Sequence, residues 1–460
     1  MASKACRIRW MMPRTRVERK ARHSRVFSGT QDGTGDVLKT LQMRGLVETT
    51  TGDEALQLHC KEKRVRVYCG FDPTADSLHL GNLLGIVVLS WFQRYGHEPV
   101  ALMGGATGRV GDPSGKSMER PLLDEEELES NIESIGNALN RIMGREVKLV
   151  NNLDWFGDMG FLEFLRKVGR YARIGTMTAK DSVKSRINSE QGMSFAEFSY
   201  QLLQGYDFVH LMKNEDVTVQ IGGSDQWGNI TAGTDLIRKM LRREGAHGLT
   251  FPLLVGSDGK KYGKSEDGAI WLNSDRLSPF KFYQYLYNTP DADVIRFAKM
   301  LTFLPLEEVS ALEQSMSHAS YVPNTAQKKL AEEVTRFVHG EAGLAQALEA
   351  TESLRPGSDT QLNASALESI ADGVPCVVLE KAQLVGKQLT DVLVSAGLQP
   401  SRSAAKRMIK GGGIRLNNVK VVDDGASISD SDLLDGRLLL LAAGKKNKML
   451  VRVGDGMQRP

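Results

Sequence analysis

Residues Arg64 to Phe71 alternate as a strand does, with Val65, Val67 and Cys69 set against Arg66 and Tyr68. Gly70 and Pro73 break the run, and Ser77 is placed to cap a helix reaching to about Tyr95. The unit then recurs. Val100 to Met103 is a short apolar strand ending in Gly104-Gly105, a charged helix spans about Asp124 to Met143, and Val147 to Val150 reads as a strand. Val217, Val219 and Ile221 alternate with Thr218 and Gln220 and run into Gly222-Gly223. Strands that alternate with helices are joined by crossovers, which makes their sheet parallel and covers both of its faces. The expected fold class is therefore α/β, with a doubly wound parallel sheet. Ligands of such sheets sit outside the carboxyl ends of the strands, at the point where the strand order reverses.

The chain changes character twice after this. From Ser278 to about Ala350 the pattern is helical; residues 351–385, with Pro356-Gly357, Gly373 and Pro375, read as a linker; residues 386–453 read as a small α+β unit. The expected division is 28–275 for the sheet domain, 276–350 for the helical domain, 351–385 for the linker and 386–453 for the last unit. With 41% hydrophobic and 25% charged residues the composition is that of a globular protein. No apolar run approaches the roughly 18 residues a membrane span needs. The four cysteines, Cys6, Cys60, Cys69 and Cys376, are scattered without metal-ligand spacing. That argues against a disulfide framework or a zinc site and suits a reducing compartment. Residues 1–27 hold nine Lys/Arg and one acid, Glu18, so the net charge of +3 conceals a mildly acidic body. An Arg-rich, acid-poor start reads as a transit peptide. Arg25-Val-Phe27-Ser28 resembles the R-x-F-S pattern of mitochondrial cleavage, with a plastid or both organelles as the other destinations.

Three constellations carry chemistry. His79 and Asn82, at i and i+3, share one face at the start of the first long helix, where free N–H groups and partial positive charge favour phosphate. Gly81 leaves room for a nucleotide ring. Downstream, Lys261 and Lys264 lie on a Gly-rich loop, Gly256-Ser-Asp-Gly259-Lys260 followed by Lys261-Tyr-Gly-Lys264-Ser265. Such a loop can close on a triphosphate and release pyrophosphate. Gly111-Asp-Pro-Ser-Gly115-Lys116-Ser117 is no Walker A loop, because Val110 stands where that loop needs Gly and Pro113 rigidifies the turn. Third, Phe195 to Met212 reads as a helix on which Tyr200, Gln204 and Asp207, at i, i+4 and i+7, form a narrow polar face. The strand end Gln220-Ile-Gly222-Gly223-Ser-Asp225-Gln226-Trp227-Gly-Asn follows it.

Pro73-Thr-Ala-Asp-Ser-Leu-His79-Leu-Gly81-Asn82 and Lys261-Tyr-Gly-Lys264-Ser265 resemble the HIGH and KMSKS signatures of class I aminoacyl-tRNA synthetases. Asn82 departs from the first pattern, Tyr262 and Gly263 from the second. Val67 to Asp76, Gly104 to Gly108, Gly111 to Gly115, Phe198-Ser-Tyr200 and Gln220 to Asn229 closely resemble tyrosyl-tRNA synthetases of bacterial or organellar type, a likeness covering most of residues 40–453. The resemblance implies a Rossmann-like catalytic domain that makes tyrosyl-adenylate from L-tyrosine and ATP, then passes the tyrosyl group to tRNA(Tyr). It gives Tyr68 and Asp207 the substrate phenol, and Asp112, Tyr200 and Gln204 its α-amino group. Gln220 and Gln226 would orient the substrate. Asp72, His79, Gly81, Asn82, Gly222, Asp225 and Lys264 would serve ATP. Lys261 and Lys264, with the Ser265 hydroxyl beside them, would neutralise the triphosphate, and Lys116 and Arg120 would grip pyrophosphate. Mg2+ is expected with ATP, no organic cofactor is implied, and no large insertion could encode an editing domain. A homodimer is implied as well. The alternatives are a tryptophanyl enzyme, an RNA-binding or splicing protein descended from a synthetase, and another nucleotidyltransferase with an H-x-G-H motif.

At the end of the chain, Arg402, Lys406, Arg407 and Lys410 fall on one face of a helix that Ser401 can cap and Gly411-Gly-Gly413 ends. Asn417-Asn418 between Ile414-Arg-Leu416 and Val419-Lys-Val421 signals a hairpin. With Lys445, Lys446 and Lys448 nearby, residues from 386 onward hold thirteen Lys/Arg against seven Asp/Glu, a phosphate-binding footprint. This part resembles the small RNA-binding module first known from a ribosomal small-subunit protein.

Overall fold

The computed structural model describes residues 35–454, apart from 117, 120–122, 145–146, 266–267, 356–361, 363, 371–373 and 445–446. The expected transit peptide, Arg120, Lys445 and Lys446 lie outside the described residues.

The central sheet has six strands: β1 (Thr49–Thr50), β2 (Arg66–Phe71), β3 (Glu98–Met103), β4 (Lys148–Asn151), β5 (Val217–Gly223) and β6 (His247–Phe251). Their order is β1-β6-β5-β2-β3-β4, parallel except for β1, which runs antiparallel to β6. The chain builds outward from β2 to β4, then returns to the other side of β2 with β5. The order thus reverses between β2 and β5, where Tyr68 is paired with Gln220. That junction is where a doubly wound sheet opens a crevice.

Four long helices flank this sheet: α1 (Leu80–Arg94), α2 (Glu125–Met143), α3 (Phe195–Glu215) and α4 (Trp227–Leu241). The residue capping α1 is His79, not Ser77. Ser77 is occupied elsewhere, its hydroxyl donating to the Leu78 carbonyl and accepting from the Asn273 N–H. Ser194 caps α3, accepting from the Glu197 N–H at 3.2 Å. Just inside that cap, Glu197 forms a bidentate ion pair with Arg186 at 2.6 and 2.7 Å, both side chains 3% exposed. The pair ties the segment before α3 to its first turn and so fixes where the rest of the helix points.

A short hairpin, β7 (Lys264–Ser265) with β8 (Gly268–Ala269), leads into the helical domain of α5 (Pro279–Tyr287), α6 (Asp291–Leu301), α7 (Leu306–Ser315) and α8 (Thr325–Leu354). One continuous apolar core runs from β2 and α1 into α5, α6 and α8, so these two domains are not separable bodies. Arg44, 1% exposed, reinforces the joint. Its guanidinium lies 4.3 Å from the Trp91 ring centre and donates to the carbonyls of Lys299, Thr302 and Leu304 at the end of α6. Helix α8 is interrupted at Gly340, whose φ of 72° and ψ of −178° are open essentially to glycine alone.

The last unit holds β9 (Cys376–Glu380), α9 (Leu389–Ser395), α10 (Arg402–Lys410), β10 (Ile414–Leu416), β11 (Val419–Val421), β12 (Leu438–Ala443) and β13 (Asn447–Gly454). Its sheet has the order β11-β10-β12-β13-β9. Asn417 and Asn418 both have positive φ, as the hairpin signal requires. Residues 351–385 are more than a linker. They include a helix over Ala364–Ile370, and β9 pairs in parallel with β13, so the small sheet takes its edge strand from upstream of residue 386. Among the described residues no helix is long and apolar enough to cross a membrane.

Removing one partner of a buried ion pair strands the other charge, at a cost of about 3 kcal/mol or more. Glu197→Gln is expected to lower stability to urea by about that amount. Replacing both residues, as Arg186→Met with Glu197→Leu, is expected to restore most of it. Unchanged stability in Glu197→Gln contradicts the role given to the pair.

Candidate active site

A cleft of about 430 Å³ opens at the β2–β5 junction. Tyr68, Asp72, His79, Gly81, Asn82, Asp112, Lys116, Tyr200, Gln204, Asp207, Gln220, Gly222, Asp225, Gln226, Lys261 and Lys264 all line it. Ser265 does not, and Arg402, Lys406, Arg407 and Lys410 stand on the outer face of the last unit. A shallower groove of about 680 Å³ lies at the start of β6, lined by His59, Arg238 and His247 among others. It holds none of these motif residues and no buried polar atom without a partner.

At the bottom of the cleft Asp207 is 0% and Tyr68 1% exposed. Asp207 accepts from Asn152 Nδ2 at 3.1 Å and from Trp155 Nε1 at 2.9 Å, one donor for each oxygen. Burial pushes its carboxyl well above the usual carboxylate range, while these two hydrogen bonds act in the opposite sense. Burial, and then the Asp207 charge, likewise raises the Tyr68 phenol, which stays protonated. The Tyr68 hydroxyl and Gln220 Oε1 are buried without a hydrogen-bond partner among the described residues. Buried polar atoms are rarely left unmade, so this corner suits a ligand that brings a polar group of its own. A carboxyl group whose oxygens each take one donor can still exchange a hydrogen bond with a third group, and a phenol hydroxyl can give or take one.

From this corner a polar chain runs toward the mouth. Asn152 also donates to Thr107 Oγ1 at 3.0 Å, Thr107 donates to Asp72 Oδ1 at 2.8 Å, and Tyr200 donates to Asp72 Oδ2 at 2.7 Å. Burial first, and the Asp72 charge next, holds the Tyr200 phenol protonated. A second cluster gathers on Asp112, which accepts from Gln226 Nε2 at 2.6 Å, Asn229 Nδ2 at 3.4 Å and the Ser114 N–H at 2.9 Å. Tyr200 is thus bonded to Asp72, and Asp112 to Gln226. Glycine is needed where this chain passes the backbone: a Cβ at Gly104 would lie 2.0 Å from Asp72 Oδ1.

At the mouth, His79 and Asn82 form a reciprocal cap. His79 Nδ1 accepts from the Gly81 N–H at 3.1 Å, and Asn82 Oδ1 accepts from the His79 N–H at 3.0 Å. The cap sets the positive end of the α1 dipole at the cleft. Lys261 and Lys264 line the same cleft and are exposed. Asp225 lines the same cleft, and its carboxyl is raised by burial first and by Asp112 next, against the opposing effect of Lys261 and Lys116. Cations and neutral donors therefore face a volume whose floor offers carboxylates, which suits a ligand anionic at one end and cationic or neutral at the other. Among the described residues no group of three or more His, Cys, Asp or Glu could hold a metal ion.

Sequence reasoning missed Asn152, Trp155 and Thr107. Asn152 stands just past the carboxyl end of β4, which was its one available signal. Trp155 is aimed by stacking on His210, 4.2 Å between ring centres, a contact no local pattern shows.

Comparison with known proteins places the chain in a family. The family model of class I tRNA synthetases (W and Y) covers residues 60–354, and that of the tyrosine–tRNA ligase C-terminal domain covers residues 366–451. The chain is 59% identical over 428 residues to the chloroplastic/mitochondrial tyrosine–tRNA ligase of Arabidopsis thaliana, covering 91% of this chain and 84% of that one. It is 53% identical over 423 residues to the tyrosine–tRNA ligase of Protochlamydia amoebophila, covering 91% and 99%. In structure it is similar to a C-terminally truncated mitochondrial tyrosyl-tRNA synthetase of Aspergillus nidulans, with a TM-score of 0.62, 35% identity and coverage of 69% and 94%. The chain belongs to the tyrosine–tRNA ligase family of class I aminoacyl-tRNA synthetases.

Proposed function

We propose that this cleft activates L-tyrosine with ATP and that the enzyme charges tRNA(Tyr) in an organelle. The observation that carries the reading is the corner of Tyr68 and Asp207. There a substrate phenol would donate to Asp207 and accept from the Tyr68 hydroxyl, which has no partner among the described residues. Phenylalanine would fill the same space, leave the Tyr68 hydroxyl without a partner and deny Asp207 a third hydrogen bond. For tyrosyl-tRNA synthetases as a family that discrimination is established at about 10⁵, a figure belonging to the family and not obtained from this cleft.

Asp112, Tyr200 and Gln204 would receive the α-amino group, with Gln220 and Gln226 setting the substrate's orientation. The tyrosine carboxylate then points toward the mouth, where Asp72, Gly81, Gly222 and Asp225 would border the nucleotide. A carboxylate oxygen attacks the α-phosphorus of ATP, the bond to the bridging oxygen breaks, and pyrophosphate departs with the electron pair. No protein nucleophile is involved. The cleft contributes position and donors aimed where charge develops: His79 and Asn82 on one side, Lys261, Lys264 and Lys116 on the other. Magnesium would enter with ATP as part of the substrate. A ribose hydroxyl at the tRNA 3′ end then attacks the tyrosyl carbonyl, and AMP leaves.

The remaining partners follow from surfaces. Phe161, Leu162, Leu165, Ile174 and Phe195 are exposed apolar side chains before or at the start of α3, and they support pairing with a second copy. On α10, Ala405 and Ile409 are buried while Arg402, Lys406, Arg407 and Lys410 are exposed. Arg402 is paired to Asp391 and Lys410 to Asp424, which makes Lys406 and Arg407 the cations best placed for tRNA phosphates. The basic N-terminal segment and the likeness to the chloroplastic/mitochondrial Arabidopsis ligase support a mitochondrial or plastid destination.

The deciding experiment is amino-acid-dependent ATP–pyrophosphate exchange with the chain lacking residues 1–27. Exchange with tyrosine and not tryptophan is expected; the reverse overturns the reading. Asp207→Ala is expected to lower tyrosine-dependent kcat/KM by about 10- to 100-fold, the worth of a hydrogen bond to a charged group. Near-normal turnover would show that the phenol lies elsewhere. Lys406→Glu with Arg407→Glu is expected to weaken tRNA charging and to lessen the salt dependence of tRNA binding by about two units of slope. The exchange reaction, which needs no tRNA, is the folding control. Unaltered charging with unaltered salt dependence removes α10 from the tRNA path.

A further inference from the structure

Tyr262-Gly263 separates the two loop lysines, and both residues are engaged by the helical domain. The Tyr262 ring centre lies 4.3 Å from that of Phe297 on α6 and 5.0 Å from that of Tyr285 on α5. Its hydroxyl is 2.6 Å from Thr289 Oγ1, in the turn between those helices. Thr289 gives its own hydroxyl proton to the Leu286 carbonyl at 2.7 Å. A threonine has one such proton, so Tyr262 is the donor in the bond they share. Burial raises the Tyr262 phenol, which keeps that proton in place. The next residue is held from the same side, the Gly263 N–H donating to the Tyr285 hydroxyl at 2.8 Å. Upstream in the loop, Ser257 donates through both N–H and Oγ to Asp293 Oδ2 on α6, at 3.0 and 2.9 Å.

Gly263 passes this position on to the other half of the cleft mouth. Its carbonyl accepts from the Ile270 N–H at 2.9 Å, and the Ile270 carbonyl accepts from the Leu80 N–H at 2.8 Å, one residue beyond His79. A Cβ at Gly263 would lie 3.0 Å from that of Leu80, and its φ of +99° is a glycine conformation.

We propose that Tyr262 is a positioning residue, a latch through which the helical domain sets where Lys261 and Lys264 stand over the cleft. What the lysines act on rests on the tyrosine-activation reading; the latch itself does not. With the hydroxyl seated on Thr289, the backbone between the lysines is fixed from α5 and α6. Without it, the segment spends part of its time undocked and the lysines are aligned less often.

Tyr262→Phe keeps the ring and removes the donor, Thr289→Val removes the acceptor, and Thr289→Ser retains it. Trypsin cleavage after Lys260 and Lys264 in the ligand-free protein, mapped by mass spectrometry, reads undocking without any substrate. Tyr262→Phe and Thr289→Val are each expected to speed cleavage by about 2- to 10-fold, the worth of one hydrogen bond. The double variant is expected to add nothing further, and Thr289→Ser to match wild type. Equal cleavage of wild type and Tyr262→Phe overturns the latch, whatever amino acid the enzyme activates. In pyrophosphate exchange the same two variants are expected to lower kcat/KM for ATP by a similar factor and leave KM for tyrosine unchanged. A matching rise in both KM values, or additive losses in the double variant, indicates general loosening and also overturns the latch. If wild type shows no tyrosine-dependent exchange, the function falls, and the cleavage result alone decides the latch.

Discussion

Asp207 is a buried carboxyl group with no cation paired to it among the described residues, and the cleft is built around satisfying it. Its partners are neutral donors, Asn152 and Trp155. Asn152 is shared with Thr107, which donates to Asp72, which accepts from Tyr200. This chain joins the ends of β2 and β4, the turn after β3 and two positions on α3. A buried polar network is tolerable only when its members are paired. Satisfying Asp207 thus fixes four segments relative to one another, and Gly104 must be glycine for the chain to pass. The Tyr68 hydroxyl and Gln220 Oε1 have no partner among the described residues, and both residues line the cleft.

The same structure couples its domains through few, well-placed groups. Arg44, at the end of a short helix over Val37–Met43, reaches three carbonyls at the end of α6, and one apolar core continues beneath it. Tyr262 and Tyr285 tie the lysine loop to that helical domain. At the far end of α8, Asn418 and Lys448 donate to the carbonyls of Ser353 and Leu354, and Leu438, Leu440 and Leu450 share an apolar cluster with Phe280 and Ala350. The basic helix α10 therefore belongs to a unit seated on the same helical domain that holds the loop.

Much of this was legible in the chain. Strand and helix periods differ so clearly that the parallel sheet, with its ligand site at the carboxyl ends of the strands, could be read directly, whereas the pairing of β2 with β5 that opens the crevice could not. The spacing of Tyr200, Gln204 and Asp207 put them on one face because helix geometry is regular. What escaped depends on distant partners. Residues 376–380 show the exposed–intermediate alternation of an edge strand, and their partner β13 lies some seventy positions later, so they passed for a linker. Ser77 is a good cap by type, yet it is used at Asn273 and His79 takes the cap instead. Nothing local marks Asn152 and Trp155 as the partners of Asp207. Tyr262 looked like a mere departure from a motif until its neighbours on α5 and α6 were in view.

The central claim is that Tyr68 and Asp207 together read a phenol hydroxyl. Calorimetric titration of the chain lacking residues 1–27 with L-tyrosine and with L-phenylalanine, in the absence of ATP, tests it most directly. The account predicts that tyrosine binds and that phenylalanine binds at least about 100-fold more weakly, because it leaves the buried Tyr68 hydroxyl without a partner and offers nothing to the buried Asp207 beyond its two protein donors. Comparable affinity for the two amino acids would contradict it.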